Sequence, residues 1–237
     1  MIRTYFWYAA GWTFLILTYP MLWRVKYLDK LGRNEERDHL TFRVTTLISR
    51  LLFSLTASTM KIVGMENIPK EGPVLFVSNH QGHMDSVIIH AFIDKPKGFI
   101  SIVEALDIPI LSTWMKYMKC VFVDRNDARQ SLASINQAVD YLKQGHSMVV
   151  FPEGKLSDGG PSNVFKKGWL KLATKSGVPI VPITIKGSYK IMSENGYNVR
   201  SAAVECVISK PILTVSLKKM DEGKFIESLR TIILENL

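Results

Sequence analysis

The chain has 237 residues, 47% of them hydrophobic, enough to bury a substantial core as one large domain or two small ones. A net charge of +9 selects anionic partners: nucleic acid, an acidic lipid surface or an acidic carrier protein. The two cysteines, Cys120 and Cys206, are far apart and supply neither a disulfide framework nor a zinc pattern, which fits small apolar packing in a reducing cytosol.

The first predicted element is TYFWYAAGWTFLILTYPMLW, Thr4 to Trp23, which carries no charge. As one helix it would be about 30 Å long and match the hydrocarbon core of a bilayer. Trp7, Trp12, Tyr19 and Trp23 are rings suited to the water-lipid boundary. Arg3 flanks one end, and Arg24, Lys26, Lys30 and Arg33 flank the other, so the positive-inside rule gives no single orientation. A segment that dips in and returns reconciles these flanks. A second apolar stripe follows: Leu40, Val44, Leu47, Ile48, Leu51, Leu52 and Leu55 recur at helical spacing, with Arg43 and Arg50 on the other side. The alternatives are a buried core helix and a signal peptide, and the latter lacks a small-residue cleavage site behind the apolar run. Residues 1–62 are therefore expected to form a membrane-associated helical pair on the cytoplasmic face, monotopic or re-entrant, ahead of a second unit at 63–237.

Beyond Gly64 the pattern becomes strand-helix-strand. Apolar runs PVLFVSN (73–79), GFISIV (98–103), CVFVDR (120–125), SMVVFPEG (147–154) and PIVPITI (179–185) precede VECVIS and ILTVSL near the end. Helical stretches lie between them at about 85–93, 128–143 and 164–176. The predicted fold class is α/β: a largely parallel central sheet flanked by helices, with the two-helix appendage at its N-terminus. Such sheets place their sites beyond the carboxyl ends of the strands, which is where NHQGHMD (79–85) falls.

On one regular helix, His80 and Asp85 would point about 140° apart and could not meet. A turn brings them together: the strand ends near Ser78, Gly82 permits a bend, and the helix starts near Asp85 with Val87, Ile88 and Phe92 as its apolar face. A carboxylate on one imidazole nitrogen fixes the tautomer and leaves the other nitrogen to accept a proton. The plain alternative is a polar turn in which Asp85 caps the helix, with His83 and His90 in solvent or polar packing. A metal would need three or four donors, and nothing beyond His80, His83 and Asp85 completes a set. The motif alone leaves dyad and structural turn evenly matched.

With its companions the run resembles a known family. NHQGHMD (79–85) is similar to the histidine-four-residues-aspartate block of the glycerolipid acyltransferases, the group that contains 1-acylglycerol-3-phosphate acyltransferase. CVFVDR (120–125), VVFPEGKLSDGG (149–160) and VPIVPITIKGS (178–188) resemble that family's second, third and fourth blocks in order. The resemblance covers about 65–190. It implies transfer of a fatty acyl group from an acyl-carrier-protein or coenzyme A thioester to the free hydroxyl of a lysophospholipid, the sn-2 hydroxyl of 1-acylglycerol-3-phosphate in the type reaction. No metal or further cofactor is implied. It also implies an N-terminal helical pair that holds the enzyme on the membrane.

In these terms His80 is the base that activates a poorly nucleophilic alcohol, and Asp85 orients it. Backbone N–H groups at the start of the helix near Asp85 are candidate donors to the oxyanion. Arg125, Lys155, Lys166 and Lys167 are candidates for the acceptor's phosphate. The alternatives are a salt bridge of Arg125 with Asp124 or Asp127, and a solvated helix start for the lysines. Glu153 and Gly154 are either a plain turn or, by resemblance, part of the acceptor pocket, with Glu153 bonding the substrate or a loop backbone.

Two positions depart from the family pattern. FPEG is followed by Lys155, Leu156 and Ser157 rather than threonine and arginine, and Val103 stands where many relatives carry lysine. A lysine lacks the two-pronged grip of a guanidinium. The acceptor head group therefore stays open between lysophosphatidic acid and a larger lysophospholipid. A transacylase or esterase could use the same pair, although no G-x-S-x-G turn supports a serine hydrolase. Nucleic-acid binding is disfavoured because the aromatics concentrate in the apolar N-terminus rather than among the basic residues.

Overall fold

The computed structural model describes residues 1–215 and 221–237. The uncharged N-terminal stretch forms two helices, α1 (Ile2–Leu17) and α2 (Tyr19–Lys30), rather than one through Trp23. The break is local chemistry. Pro20 clashes with a preceding helical residue but is tolerated in the first turn of a new helix, and Thr18 caps α1 with its Oγ1 donating to Leu15 O at 2.6 Å. At 16 residues, α1 is about 24 Å long. Among the described residues no helix is long and apolar enough to cross a membrane. The second apolar stripe forms α3 (Asn34–Ser54).

The N-terminal helices are tied to the rest of the molecule by polar as well as apolar contacts. Trp7 Nε1 donates to Leu52 O at 2.8 Å, linking α1 to α3. Arg50 Nε reaches Ala91 O at 2.8 Å in α4 (Met84–Phe92). Trp114, buried in α5 (Pro109–Tyr117), donates its indole N–H to Thr18 Oγ1 at 3.0 Å, and packs with Leu22 and Val25 of α2.

The sheet has seven strands: β1 (Thr59–Val63), β2 (Leu75–Ser78), β3 (Lys97–Ile102), β4 (Val121–Val123), β5 (Ser147–Val150), β6 (Ile180–Lys186) and β7 (Ala203–Ile208). Their order is β1-β7-β6-β2-β5-β3-β4, parallel at every pairing except β6 with β7. β1 spans the boundary drawn at residue 62, so the sheet begins inside the segment assigned to the helical pair. Of ILTVSL, Ile212 makes only an isolated bridge to Ile180, and positions 216–217 lie outside the described residues.

Alternation along β2 feeds both faces. Leu75 and Val77 join the layer formed by α6 (Ala128–Lys143), α7 (Leu170–Ser176) and α8 (Glu222–Leu234), whereas Phe76 joins the layer with Ile88 and Ile89 of α4. The central strands β2 and β5 are buried on both faces, as helix-covered parallel sheets require. Because β2, β3, β4 and β5 run parallel, the loops that follow them leave the sheet at one edge.

Candidate active site

The loop between β2 and α4 makes the expected turn. His80 Nδ1 lies 2.8 Å from Asp85 Oδ2, and Gly82 N donates to the same oxygen at 2.9 Å. Asp85 is wholly buried, in the first turn of α4, while the His80 side chain keeps 21% of its surface exposed. Asp85 does not cap the helix, because the N-cap position is His83. Gly82 is not in the left-handed region; a side chain there would press against Tyr189 Cα at 3.0 Å and Ser193 Oγ at 2.9 Å. Close approach, rather than freedom to bend, accounts for glycine here.

The imidazole is held from two further directions. Its ring stacks on Phe151, centroids 4.0 Å apart and planes 15° from parallel. Its backbone N–H donates to Glu153 Oε1 at 2.9 Å. The other carboxylate oxygen, Glu153 Oε2, accepts from Asn163 N at 2.8 Å and Asn163 Nδ2 at 3.0 Å. Buried Glu153 therefore bonds loop backbone, clamping the loops after β2 and β5 together. Ser157 N donates to His80 O at 2.9 Å and closes the same junction.

His80 opens onto a cleft of about 1320 Å³. Arg125, Gly154, Lys155 and Lys166 line it together with His80 and His83, which unites four of the predicted substrate-binding positions with the histidine. Among the described residues Arg125 makes no ion pair, because Asp127 caps α6 through Arg129 N and Gln130 N and Asp124 accepts from Asn126 N. Gly154 adopts φ +68°, and Lys166 crosses its open face so closely that a Cβ would lie 3.0 Å from Nζ. Lys167 is exposed and does not line the cleft. Tyr8, Trp12 and Leu15 of α1 and Ile48 and Leu52 of α3 give much of the remaining wall an apolar surface, interrupted by Asp158, His90 and hydroxyl side chains such as Thr45 and Ser49.

The helix start offers less to an oxyanion than its sequence suggests. Gly82 N is committed to Asp85, His83 N to Ser193 Oγ at 3.3 Å, and Asp85 N to Gly82 O at 3.1 Å. Both cysteines are buried, and burial pushes each thiol up to about 12, so neither is an ionised nucleophile near neutral pH. His90 is packed rather than exposed, its Nε2 on Thr45 Oγ1 at 2.8 Å. Among the described residues no three His, Cys, Asp or Glu side chains gather as a metal site would require.

Several site residues were not anticipated. Ser188 Oγ donates to Asp85 Oδ1, Asn79 bonds both backbone groups of Ile185 at 2.8 Å, and Gln81 Oε1 accepts from Gly187 N at 2.9 Å. The available signal was a pair of amide side chains at alternate positions, Asn79 and Gln81, in a loop that leaves a buried strand.

Comparison with known proteins gives a consistent result. The family model described as Acyltransferase matches residues 59–186. The probable 1-acyl-sn-glycerol-3-phosphate acyltransferase of Mycoplasma pneumoniae is 31% identical over 220 residues, 88% of this chain and 82% of that protein. The chloroplastic 1-acyl-sn-glycerol-3-phosphate acyltransferase BAT2 of Brassica napus is 36% identical over 153 residues, 64% of this chain but only 44% of its own length. The crystal structure of the 1-acyl-sn-glycerophosphate (LPA) acyltransferase PlsC from Thermotoga maritima superposes with a TM-score of 0.81 at 25% identity, covering 99% of this chain and 93% of that one.

Proposed function

From the premise that this chain belongs to the acyltransferase family and is an O-acyltransferase, we propose that it acylates the sn-2 hydroxyl of 1-acylglycerol-3-phosphate with an acyl-carrier-protein or coenzyme A thioester, giving phosphatidic acid. The observation that carries this reading is the His80–Asp85 pair at 2.8 Å, opening on one cleft that is apolar along α1 and α3 and cationic at Arg125, Lys155 and Lys166. A lysolipid has that same division between chain and phosphate. The relatives named above as 1-acyl-sn-glycerol-3-phosphate acyltransferases favour this acceptor.

The steps follow from the geometry. Nδ1–H of His80 donates to Asp85, which leaves Nε2 with a free lone pair. As the acceptor oxygen attacks the thioester carbonyl, Nε2 takes the hydroxyl proton and a C–O bond forms. The C–S bond then breaks, and the leaving thiolate recovers that proton from Nε2–H. Ester and free thiol result, with no covalent enzyme intermediate. Arg125, Lys155 and Lys166 hold the phosphate, whose charge fixes the alcohol near His80. The exposed rings of α1 and α2 rest on a membrane surface, so that the lipid enters the cleft directly from the bilayer.

Release of thiol by the purified protein, with each donor in turn and a panel of lysolipids, tests this function. His80→Ala should lower kcat by about 100-fold or more. Arg125→Ala should raise KM for the lysolipid while leaving kcat nearly unchanged. A His80→Ala enzyme that retains most of its turnover would remove the base from the account. Free thiol formed equally well without lysolipid would indicate a thioesterase instead.

A further inference from the structure

The Asp85 carboxylate has two oxygens, and the dyad uses one. Oδ2 receives His80 Nδ1 and Gly82 N, while Oδ1 receives the hydroxyl of Ser188, 103 positions away along the chain. Ser188 is itself buried, at the turn that follows β6. Rotation of an Asp carboxylate about its terminal torsion is broad and soft. Hydrogen bonds to both oxygens from different parts of the chain remove that freedom and fix which oxygen faces the imidazole.

The delivery of Ser188 is built with the same care. Asn79 Oδ1 accepts from Ile185 N and its Nδ2 donates to Ile185 O, both at 2.8 Å. Two residues on, Gln81 Oε1 accepts from Gly187 N at 2.9 Å. Side chains at alternate positions thus extend the β2–β6 pairing beyond the point where the strands part, and fix the register of the segment ending at Ser188. Gly187 has φ +85°, and a Cβ there would fall 2.6 Å from Ala203 O, so only glycine allows the chain to turn Ser188 inward.

We propose that Ser188 is a positioning residue for the dyad: its hydroxyl orients Asp85 so that the carboxylate holds His80 in the tautomer and direction needed to accept the alcohol proton. The assignment rests on the reading of His80 as base, and the experiment separates the two. Initial rates of thiol release are measured for the full chain with lysolipid and thioester, alongside thermal melting. Ser188→Ala should lower kcat about 10- to 100-fold, with KM for both substrates within about twofold of the parent. Ser188→Thr, which keeps the hydroxyl, should recover kcat to within about fivefold. In an Asp85→Asn background, Ser188→Ala should change the residual rate by less than about twofold, because both substitutions act through one carboxylate.

A Ser188→Ala kcat equal to that of the parent, with His80→Ala inactive, overturns the role of Ser188 and leaves the base in place. An active His80→Ala overturns the base and the positioning role with it. A Ser188→Ala loss that recurs in full on top of Asp85→Asn also overturns the proposal, since Ser188 would then act through some other group.

Discussion

Glu153 shows how a buried carboxylate can hold two loops together. Each of its oxygens accepts a backbone N–H, one from His80 and one from Asn163, in a buried setting. In Glu153→Gln an amide nitrogen must replace one oxygen, so a buried N–H faces another donor, at a cost of about 1–3 kcal/mol. The expected result is a melting midpoint lowered by several degrees and a kcat reduced by about tenfold, as the His80 backbone loses its anchor. An unchanged melt and kcat with a raised lysolipid KM would give Glu153 a substrate-facing role instead. At this scale the sequence is informative where partners are close along the chain. His80 and Asp85, five positions apart, require a turn, and the turn is there. The contact of Glu153 with His80 and that of Asp85's second oxygen with Ser188 join residues 73 and 103 positions apart, and no local pattern announces them.

At the scale of elements, six apolar runs became strands, and β2, β5 and β6 were the plainest of them because parallel strands buried on both faces read as continuous hydrophobic stretches. β1 escaped notice because an edge strand alternates exposed and half-buried residues and begins beside a helix. The uncharged stretch reads as one helix in the sequence because its apolar residues continue across the break that Pro20 imposes. One junction has a consequence for stability. His90 on α4 and Lys97 at the start of β3 are both buried, with Thr45 of α3 and the rings of Phe42 and Phe99 around them. Burial pushes the Lys97 amine down to about 7, partly offset by Asp94. Burial, aided by the Lys97 charge, holds His90 well below its usual 6.5. Between about pH 7 and the ordinary lysine value of 10.5, the unfolded chain binds a proton that the folded chain does not. Stability therefore climbs as pH rises through that window, by at most about 1.4 kcal/mol per pH unit from Lys97. Below pH 6.5 His90 acts with the same sign, and stability falls further on acidification. Melting followed from pH 7 to pH 9 should show a rise of several degrees, and Lys97→Met should flatten it. A rise that survives the substitution would assign the effect to other groups.

At the scale of the whole molecule, the N-terminal helices contribute to the wall of the cleft as well as to the exposed aromatic surface. Tyr8, Trp12 and Leu15 of α1 form part of the cleft wall, yet Trp12 remains 53% exposed. Tyr5, Phe6, Tyr19 and Trp23 of α1 and α2 are exposed as well, Trp23 at 69%. The composition and flanking charges of this segment were legible at the outset; its division into two packed helices, neither of them long and apolar enough to cross a membrane, came from Pro20 and from the anchors at Leu52 and Trp114. Arg24, Lys26 and Lys30 share α2 with Tyr19 and Trp23, and each cation near an anionic surface contributes about 1 kcal/mol. The full chain should therefore float with vesicles that contain anionic phospholipid, less well with neutral ones, and less well again as salt is raised. Phe6→Ser or Trp23→Ser should each weaken partitioning roughly tenfold, the loss from an aromatic side chain that no longer leaves water. Neither ring lines the cleft, so thermal melting in the absence of lipid should be unchanged. Vesicle binding that ignores both substitutions and both lipid compositions would detach this face from the membrane, and the substrate would then have to reach His80 from water.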